Sequence, residues 1–187
     1  MPDSASPKQE QVYELITQTL FGLTDQESEE AADALAAVES DEIIDFVLLA
    51  VGDCALSNTG LTTRNRAARL LAKFGSRARN YTEKVSAMLN DKEASVAATA
   101  AYALWRIEGN VKRSMPTLLC MLRSSDPMAK QFACWALAQM GTEAMPALPL
   151  LIEGLNEADS ETRLYAVRAL ANLSIDAFRK GFPLKLA

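Results

Sequence analysis

Aromatic and basic side chains recur in this sequence at intervals of 33 residues, and they are its best candidates for chemistry. One such column contains Arg69, Tyr102, Trp135 and Arg168. Exposed aromatic residues grouped with arginines are typical of binding hot spots, so the pattern predicts a binding surface. We call the whole predicted set the groove residues: Arg66, Arg69, Lys73, Tyr102, Trp105, Arg106, Phe132, Trp135, Tyr165 and Arg168.

Catalysis finds much less support, because the chain contains no histidine. It therefore cannot build a Ser-His-Asp or Cys-His nucleophile, a His general base or a His-ligated zinc site by itself. The carboxylate pairs Glu29-Glu30 and Asp41-Glu42 are interpreted as solvated helix faces. Enzymatic activity is thus an open but disfavoured possibility, and we expect no metal and no cofactor.

Compartment is indicated by the cysteines and the N-terminal residues. Cys54, Cys120 and Cys134 are odd in number and lack the CxxC spacing, which favours reduced thiols. The first residues show neither a basic nor an apolar signal-peptide region, and no apolar run is long enough to span a membrane. We expect a cytoplasmic protein without a membrane partner.

Charge is divided unevenly along the chain. Residues 1–53 contain 13 acidic side chains and one basic one, Lys8, whereas residues 54–187 contain 18 basic and 11 acidic side chains. A run without acidic residues lies between Asp53 and Glu83. We expect the acidic segment to attract the basic cluster in that run, which comprises Arg64, Arg66, Arg69, Lys73, Arg77 and Arg79.

The repeat itself predicts paired helices. Ala100, Leu104 and Ile107 lie at positions i, i+4 and i+7, the spacing of one helix face. Asp126 and Asp159 are expected to cap helix N-termini, and glycines to end the same helices. The expected helices lie at about 61–75, 78–91, 93–108, 111–124, 126–141, 143–156 and 159–173. Before the repeats, we expect helices at about 8–22, 26–38 and 41–56, with a capping box formed by Thr24 and Glu27.

A helical wheel assigns faces to the repeat helix around Ala133. At 100° per residue, Trp135 falls about 200° and Gln131 about 160° from this small core position. Both should therefore point away from the core. The competing interpretation is that Phe132 and Trp105 pack against neighbouring repeats or the N-terminal helices.

The units resemble the short HEAT-like repeat of the phycobilisome-lyase type, whose helix carries the pattern D-x-x-V-R-x-x-A-x-x-A-L-x-x-I-G. Residues 126–141 follow it from Asp126 to Gly141, and residues 100–107 repeat its centre. Ala97 and Ser174 depart from it, where Arg and Gly are expected. The motifs of ankyrin and tetratricopeptide repeats are absent.

This resemblance implies an all-α fold, a right-handed α-solenoid of helical hairpins in which the Asp126-type helix lines a concave groove. We expect an acidic helical N-terminal cap at 1–60, HEAT-like repeats at 61–174 and a C-terminal helix or tail at 175–187. An N-terminal cap is favoured because the open ends of a solenoid must be covered.

The function expected from this reading is a non-enzymatic scaffold that binds a peptide or protein segment, acidic or apolar in character, in the groove. Two alternatives remain open. The resemblance to bilin lyases allows a lyase- or chaperone-like maturation factor for a cofactor protein. A HEAT-like DNA-glycosylase type uses a basic aromatic groove, which leaves nucleic-acid binding possible despite the net charge of −5.

Overall fold

The computed structural model describes residues 7–22, 24–39, 45 and 60–181, and all regular structure within these ranges is helical. The all-α class is therefore confirmed for the described residues. The helix expected at 41–56 lies outside them, apart from Asp45.

The helices alternate between long and short along the repeats. Each long helix packs against the next long helix, and each short helix packs against the long helix that follows it. This is the arrangement of stacked helical hairpins, an α-solenoid. The helices are α1 (Pro7–Phe21), α2 (Asp25–Ala36), α3 (Leu61–Phe74), α4 (Thr82–Ala87), α5 (Ala94–Glu108), α6 (Met115–Leu122), α7 (Pro127–Met140), α8 (Leu148–Glu153) and α9 (Ser160–Arg179).

The short helices differ from their expected form. The sequence predicts unbroken helices at 78–91 and 143–156, but α4 and α8 are each only 6 residues long and are extended at both ends by 3₁₀ turns. The flanking turns are Gly75–Tyr81, Met88–Asn90, Gly141–Ala147 and Gly154–Asn156. Short 3₁₀ segments are common at α-helix ends, and periodicity alone does not distinguish them from α-helix.

The predicted N-caps are confirmed. Thr24 Oγ1 accepts a hydrogen bond from Glu27 N at 3.1 Å, and Glu27 Oε2 accepts one from Thr24 N at 3.0 Å, which completes the capping box of α2. The carboxylate of Asp126 accepts from the backbone at the start of α7, and that of Asp159 does so at the start of α9. These bonds satisfy backbone donors that have no partner within the helix.

Glycine ends three of the long helices, as predicted. Gly75, Gly109 and Gly141 follow α3, α5 and α7 with φ of 55°, 71° and 56°, a region that favours glycine. Ser174 stands at the corresponding place in the last repeat, so nothing forces the chain to turn there. As a result α9 continues to Arg179, and the expected boundary between residues 174 and 175 falls inside one helix.

The repeat columns form the core. Ala67, Ala100, Ala133 and Ala166 are all fully buried, and their small side chains allow neighbouring long helices to approach closely. Leu71, Leu104 and Leu137 are buried completely beside them, whereas Leu170 is half-buried. The groove residues lie on the same long helices, at positions other than these core columns.

Candidate functional site

Tyr102 on α5 contacts both tryptophans, Trp105 on the same helix and Trp135 on α7, and we call these three side chains the aromatic ridge. The ring of Tyr102 lies 5.6 Å from that of Trp135 in an edge arrangement and 5.9 Å from that of Trp105. All three are half-buried and pack against the core cluster beneath them. Each side chain of the ridge is therefore partly packed in the core and partly exposed. The outcome is intermediate between a fully exposed binding surface and complete packing against neighbouring repeats.

A pocket of about 290 Å³ adjoins the ridge at the N-terminal half of α7, and we call it the Trp135 pocket. Phe132 and Tyr165, both half-buried, form its aromatic walls together with Trp135. The complete lining is Asn65, Arg69, Thr99, Met128, Gln131, Phe132, Trp135, Glu161 and Tyr165. The structure thus gathers groove residues from α3, α7 and α9 around one cavity.

Two arginines border the aromatic surface and stack on tyrosines. The guanidinium of Arg106 lies 6.0 Å from the centre of the Tyr102 ring and donates a hydrogen bond to the Tyr102 hydroxyl at 3.1 Å. The guanidinium of Arg168 lies 5.7 Å from the centre of the Tyr165 ring. Both arginines are exposed, and neither forms an ion pair with a carboxylate among the described residues. Their charge is available to a partner.

The other three basic groove residues are already occupied by α2. Arg66 Nη2 lies 3.1 Å from Asp25 Oδ1, and Arg69 Nη2 lies 2.7 Å from Glu29 Oε2. Lys73 Nζ lies 2.7 Å from Glu29 Oε1 and also pairs with Asp33. These ion pairs are the attraction between the acidic segment and the basic cluster that the charge distribution predicts. They also correct the expectation that these three side chains are open to a partner.

The pairing shows how α2 is placed. Partners on α2 and α3 are 41, 40 and 40 residues apart from the first pair to the last, so the two helices run parallel. Long helices of successive repeats have the same relation, with a spacing of 33. Helix α2 therefore lies beside α3 and runs in the same direction, as the long helices of successive repeats do.

Burial and ion pairing compete at Lys73. Desolvation lowers the pKa of this ammonium group, but the hydrogen bonds with Asp33 and Glu29 outweigh it and the pKa is raised. Lys73 is therefore charged at neutral pH and bound to α2.

We predict that the α2–α3 contact weakens with salt. The Debye length falls from about 10 Å at 0.1 M to about 3 Å at 1 M, and exposed ion pairs contribute only about 0.2–1 kcal/mol each. Amide hydrogen exchange in α2 should accelerate in 1 M NaCl, and Glu29→Gln/Asp33→Asn should remove most of this dependence. Glu30→Gln is the matched control, because Glu30 accepts from Gln26 on its own helix. Salt-independent exchange of α2 in the wild-type chain would contradict the prediction.

Comparison with known families decides the identity of the repeats. Residues 82–171 match the family model described as HEAT repeats. These residues form HEAT-like repeats. The finer resemblance to the phycobilisome-lyase type remains a prediction.

No curated protein matches the chain significantly. Among solved structures, an engineered protein known from its crystal structure is 26% identical, with a TM-score of 0.49, over 86% of this chain and 80% of that one.

A second pocket opens at the C-terminal ends of the last two long HEAT helices, on the other side of the ridge. It has a volume of about 440 Å³, and we call it the Trp105 pocket. Its lining is Trp105, Ala138, Gln139, Met140, Gly141, Asn172, Ile175, Asp176, Arg179 and Lys180. Of these, Trp105 belongs to the predicted groove residues, and that set has no members beyond the expected repeat boundary at 174, where four of the lining residues lie.

Asp176 organises one wall of this pocket. Its Oδ2 accepts hydrogen bonds from Thr142 N at 2.7 Å and Thr142 Oγ1 at 2.8 Å, and Lys180 Nζ lies 2.9 Å away. The backbone hydrogen bond, followed by those from Lys180 and the Thr142 hydroxyl, lowers the pKa of Asp176 to about 2. A side chain at Gly141 would collide with this carboxylate, since an added Cβ would lie 2.5 Å from Oδ2.

We predict a specific acid sensitivity from Asp176. Because its folded-state pKa is below the unfolded value of about 3.9, its stabilisation is present above that value and is lost as pH falls towards about 2. Asp176→Asn should flatten the pH dependence of the urea midpoint between about pH 4 and 2. Thr142→Val removes the hydroxyl donor but keeps the backbone donor to Asp176, so it should flatten the pH dependence only in part. A wild-type profile that Asp176→Asn leaves unchanged would contradict the prediction.

Gln131 lines the Trp135 pocket, on the side that the wheel predicts, but it is not exposed there. Its side chain is buried, and Nε2 donates to Asp159 Oδ2 at 3.0 Å, which ties α7 to the N-terminus of α9. A wheel describes one helix alone and does not include the neighbour that covers this position.

The residues that the structure describes include no candidate metal site and two free cysteines. No group of three Cys, Asp or Glu side chains there could hold a metal ion. Burial raises the pKa of Cys134 to about 12, so this thiol is protonated at neutral pH, whereas Cys120 is exposed. None of the described helices has the length and apolar character needed to cross a bilayer.

Proposed function

We propose that this HEAT-like repeat protein is a non-enzymatic scaffold that binds a peptide or protein segment along the groove face of α5, α7 and α9. The observation that carries the proposal is the half-buried aromatic ridge beside the Trp135 pocket. Repeat solenoids use such extended surfaces for binding, and aromatic anchors next to a pocket are where interface energy concentrates.

The chemistry of the partner follows from the groove charges. Arg106 and Arg168 lack ion-pair partners among the described residues, while Arg66, Arg69 and Lys73 are neutralised by α2. A partner segment with apolar side chains and acidic neighbours would cover the ridge and meet the free guanidinium groups.

Nucleic-acid binding is disfavoured by the same pairing. Phosphate recognition depends on several Lys or Arg side chains that release counterions together, and three groove cations are not free to do so. No observation favours the maturation-factor alternative over a general scaffold.

Selection from a random displayed-peptide library on the immobilised protein tests the proposal. We expect enriched peptides to lose affinity for Trp135→Ala by about 2 kcal/mol or more, as at a binding hot spot. Phe178→Ala is the matched control, because it also removes an aromatic ring, but one that is 83% exposed and lines neither pocket.

Peptides that bind the wild type and Trp135→Ala equally would overturn the groove assignment. Failure to enrich any sequence over a blank surface would overturn the scaffold function.

A further inference from the structure

We propose that the groove recognises a two-part motif, with an apolar side chain in the Trp135 pocket and a carboxylate in the Trp105 pocket. This inference rests on the proposed scaffold function and specifies the ligand. Its geometric basis is that the aromatic ridge separates two pockets, and each pocket contains one of the two tryptophans of the chain.

Several polar side chains of the Trp135 pocket already have partners within the chain. Gln131 donates to Asp159 at 3.0 Å, the Thr99 hydroxyl donates to Ser95 O at 2.8 Å, and Arg69 pairs with Glu29. The apolar part of the lining is the aromatic surface of Phe132, Trp135 and Tyr165 and the exposed thioether of Met128, and the other two lining residues are Asn65 and Glu161. An apolar side chain gains free energy by leaving water here without displacing polar contacts.

The exposed carboxylate of Glu161 affects which ligand side chains the same pocket favours. Glu161 forms no ion pair within the described part of the chain. An acidic ligand residue would therefore meet a like charge at this pocket, which favours placing it elsewhere.

The Trp105 pocket has the opposite charge balance. Asp176 and Lys180 neutralise each other, and Asn172 Nδ2 donates to Ala138 O at 3.2 Å. Arg179 is exposed and has no carboxylate partner among the described residues, so one positive charge is left over. A guanidinium group of this kind binds carboxylates with paired, charge-assisted hydrogen bonds.

The spacing between the pockets sets the spacing of the motif. Phe132 lines one pocket and Gln139 lines the other, on the same helix. Seven residues of α-helix rise roughly 10 Å, and an extended chain covers about 3.3 Å per residue. The acidic residue should therefore lie about three positions from the apolar one in an extended ligand.

The test uses blocked tetrapeptides in which leucine and glutamate flank two glycines, in both orders. Matched probes carry glutamine or lysine instead of glutamate. The two indole N–H signals in a proton–nitrogen NMR spectrum, assigned with Trp105→Phe and Trp135→Phe, report on the two pockets separately. We expect the glutamate peptide to shift both signals, and the glutamine and lysine peptides to shift mainly that of Trp135.

Arg179→Gln should weaken the glutamate peptide about two- to fivefold, the range of an exposed charge pair, and leave the glutamine peptide unchanged. Arg123→Gln, which removes an exposed arginine after α6, is the control and should change neither.

Equal binding of the glutamate, glutamine and lysine peptides would overturn the two-part motif while leaving the scaffold function intact. A glutamate-dependent shift at Trp135 instead of Trp105 would overturn the assignment of the pockets. No shift of either indole by any tetrapeptide would overturn the motif as well, and the library selection would then decide the scaffold function independently.

Discussion

Replacing Arg64 with alanine is expected to lower the free energy of unfolding by about 3–5 kcal/mol, because it leaves the largely buried carboxylate of Asp91 without its cation. Arg64 Nε lies 2.8 Å from Asp91 Oδ2, and Nη2 donates to Oδ1 at 3.0 Å. The two side chains are only 11% and 12% exposed. The pair connects α3 to the turn before α5, so its loss also loosens two neighbouring repeats.

Denaturant unfolding measures this effect, and two variants make it specific. Arg79→Ala removes an exposed arginine of the same basic cluster and should change stability by less than about 0.5 kcal/mol. Arg64→Ala/Asp91→Ala removes the stranded carboxylate and should recover part of the loss. Equal losses of stability in Arg64→Ala and Arg79→Ala would show that the Arg64–Asp91 ion pair does not stabilise the fold.

The helical framework could be predicted from sequence because its signals are local. Asp126 and Asp159 cap helices through backbone groups two or three residues away. Gly75, Gly109 and Gly141 act through their own φ angle. Such signals do not depend on what packs against the helix, and the 33-residue period then supplies the packing of one repeat on the next.

The partners of the basic residues could not be predicted residue by residue. The charge distribution indicates that acidic and basic segments attract, but α2 pairs with α3 at a spacing of 40 or 41, outside the 33-residue register. Because these partners are not 33 residues apart, comparing equivalent positions of the repeats does not pair Asp25 with Arg66 or Glu29 with Arg69. Consequently, three of the five basic groove residues, Arg66, Arg69 and Lys73, are neutralised within the chain.

Degree of burial was the other missing quantity at the site. The wheel gives the direction of Trp135 relative to Ala133 but not how much of the indole a neighbouring helix covers. The edge contact with Tyr102 on α5 supplies that cover. The same limitation explains Gln131, which the first residues of α9 bury.

Leu137→Ala is expected to lower the free energy of unfolding by about 2–5 kcal/mol, because it leaves a cavity in a fully buried part of the core. Trp135, two positions earlier on α7, provides the matched comparison. Trp135→Ala should cost less, about 1–2 kcal/mol, since the indole is only half-buried, although it loses its contacts with the core cluster as well as with Tyr102.

The two substitutions should therefore separate stability from binding. Leu137→Ala should unfold at lower urea concentration yet bind the selected peptides normally wherever it is still folded, because its side chain lines neither pocket. Trp135→Ala should remain folded under the same conditions and lose about 2 kcal/mol or more of binding free energy. Urea unfolding and a peptide titration of both variants measure the two quantities. If Trp135→Ala destabilises the fold as much as Leu137→Ala does, the indole acts as core, and the aromatic ridge is a packing feature without a binding role.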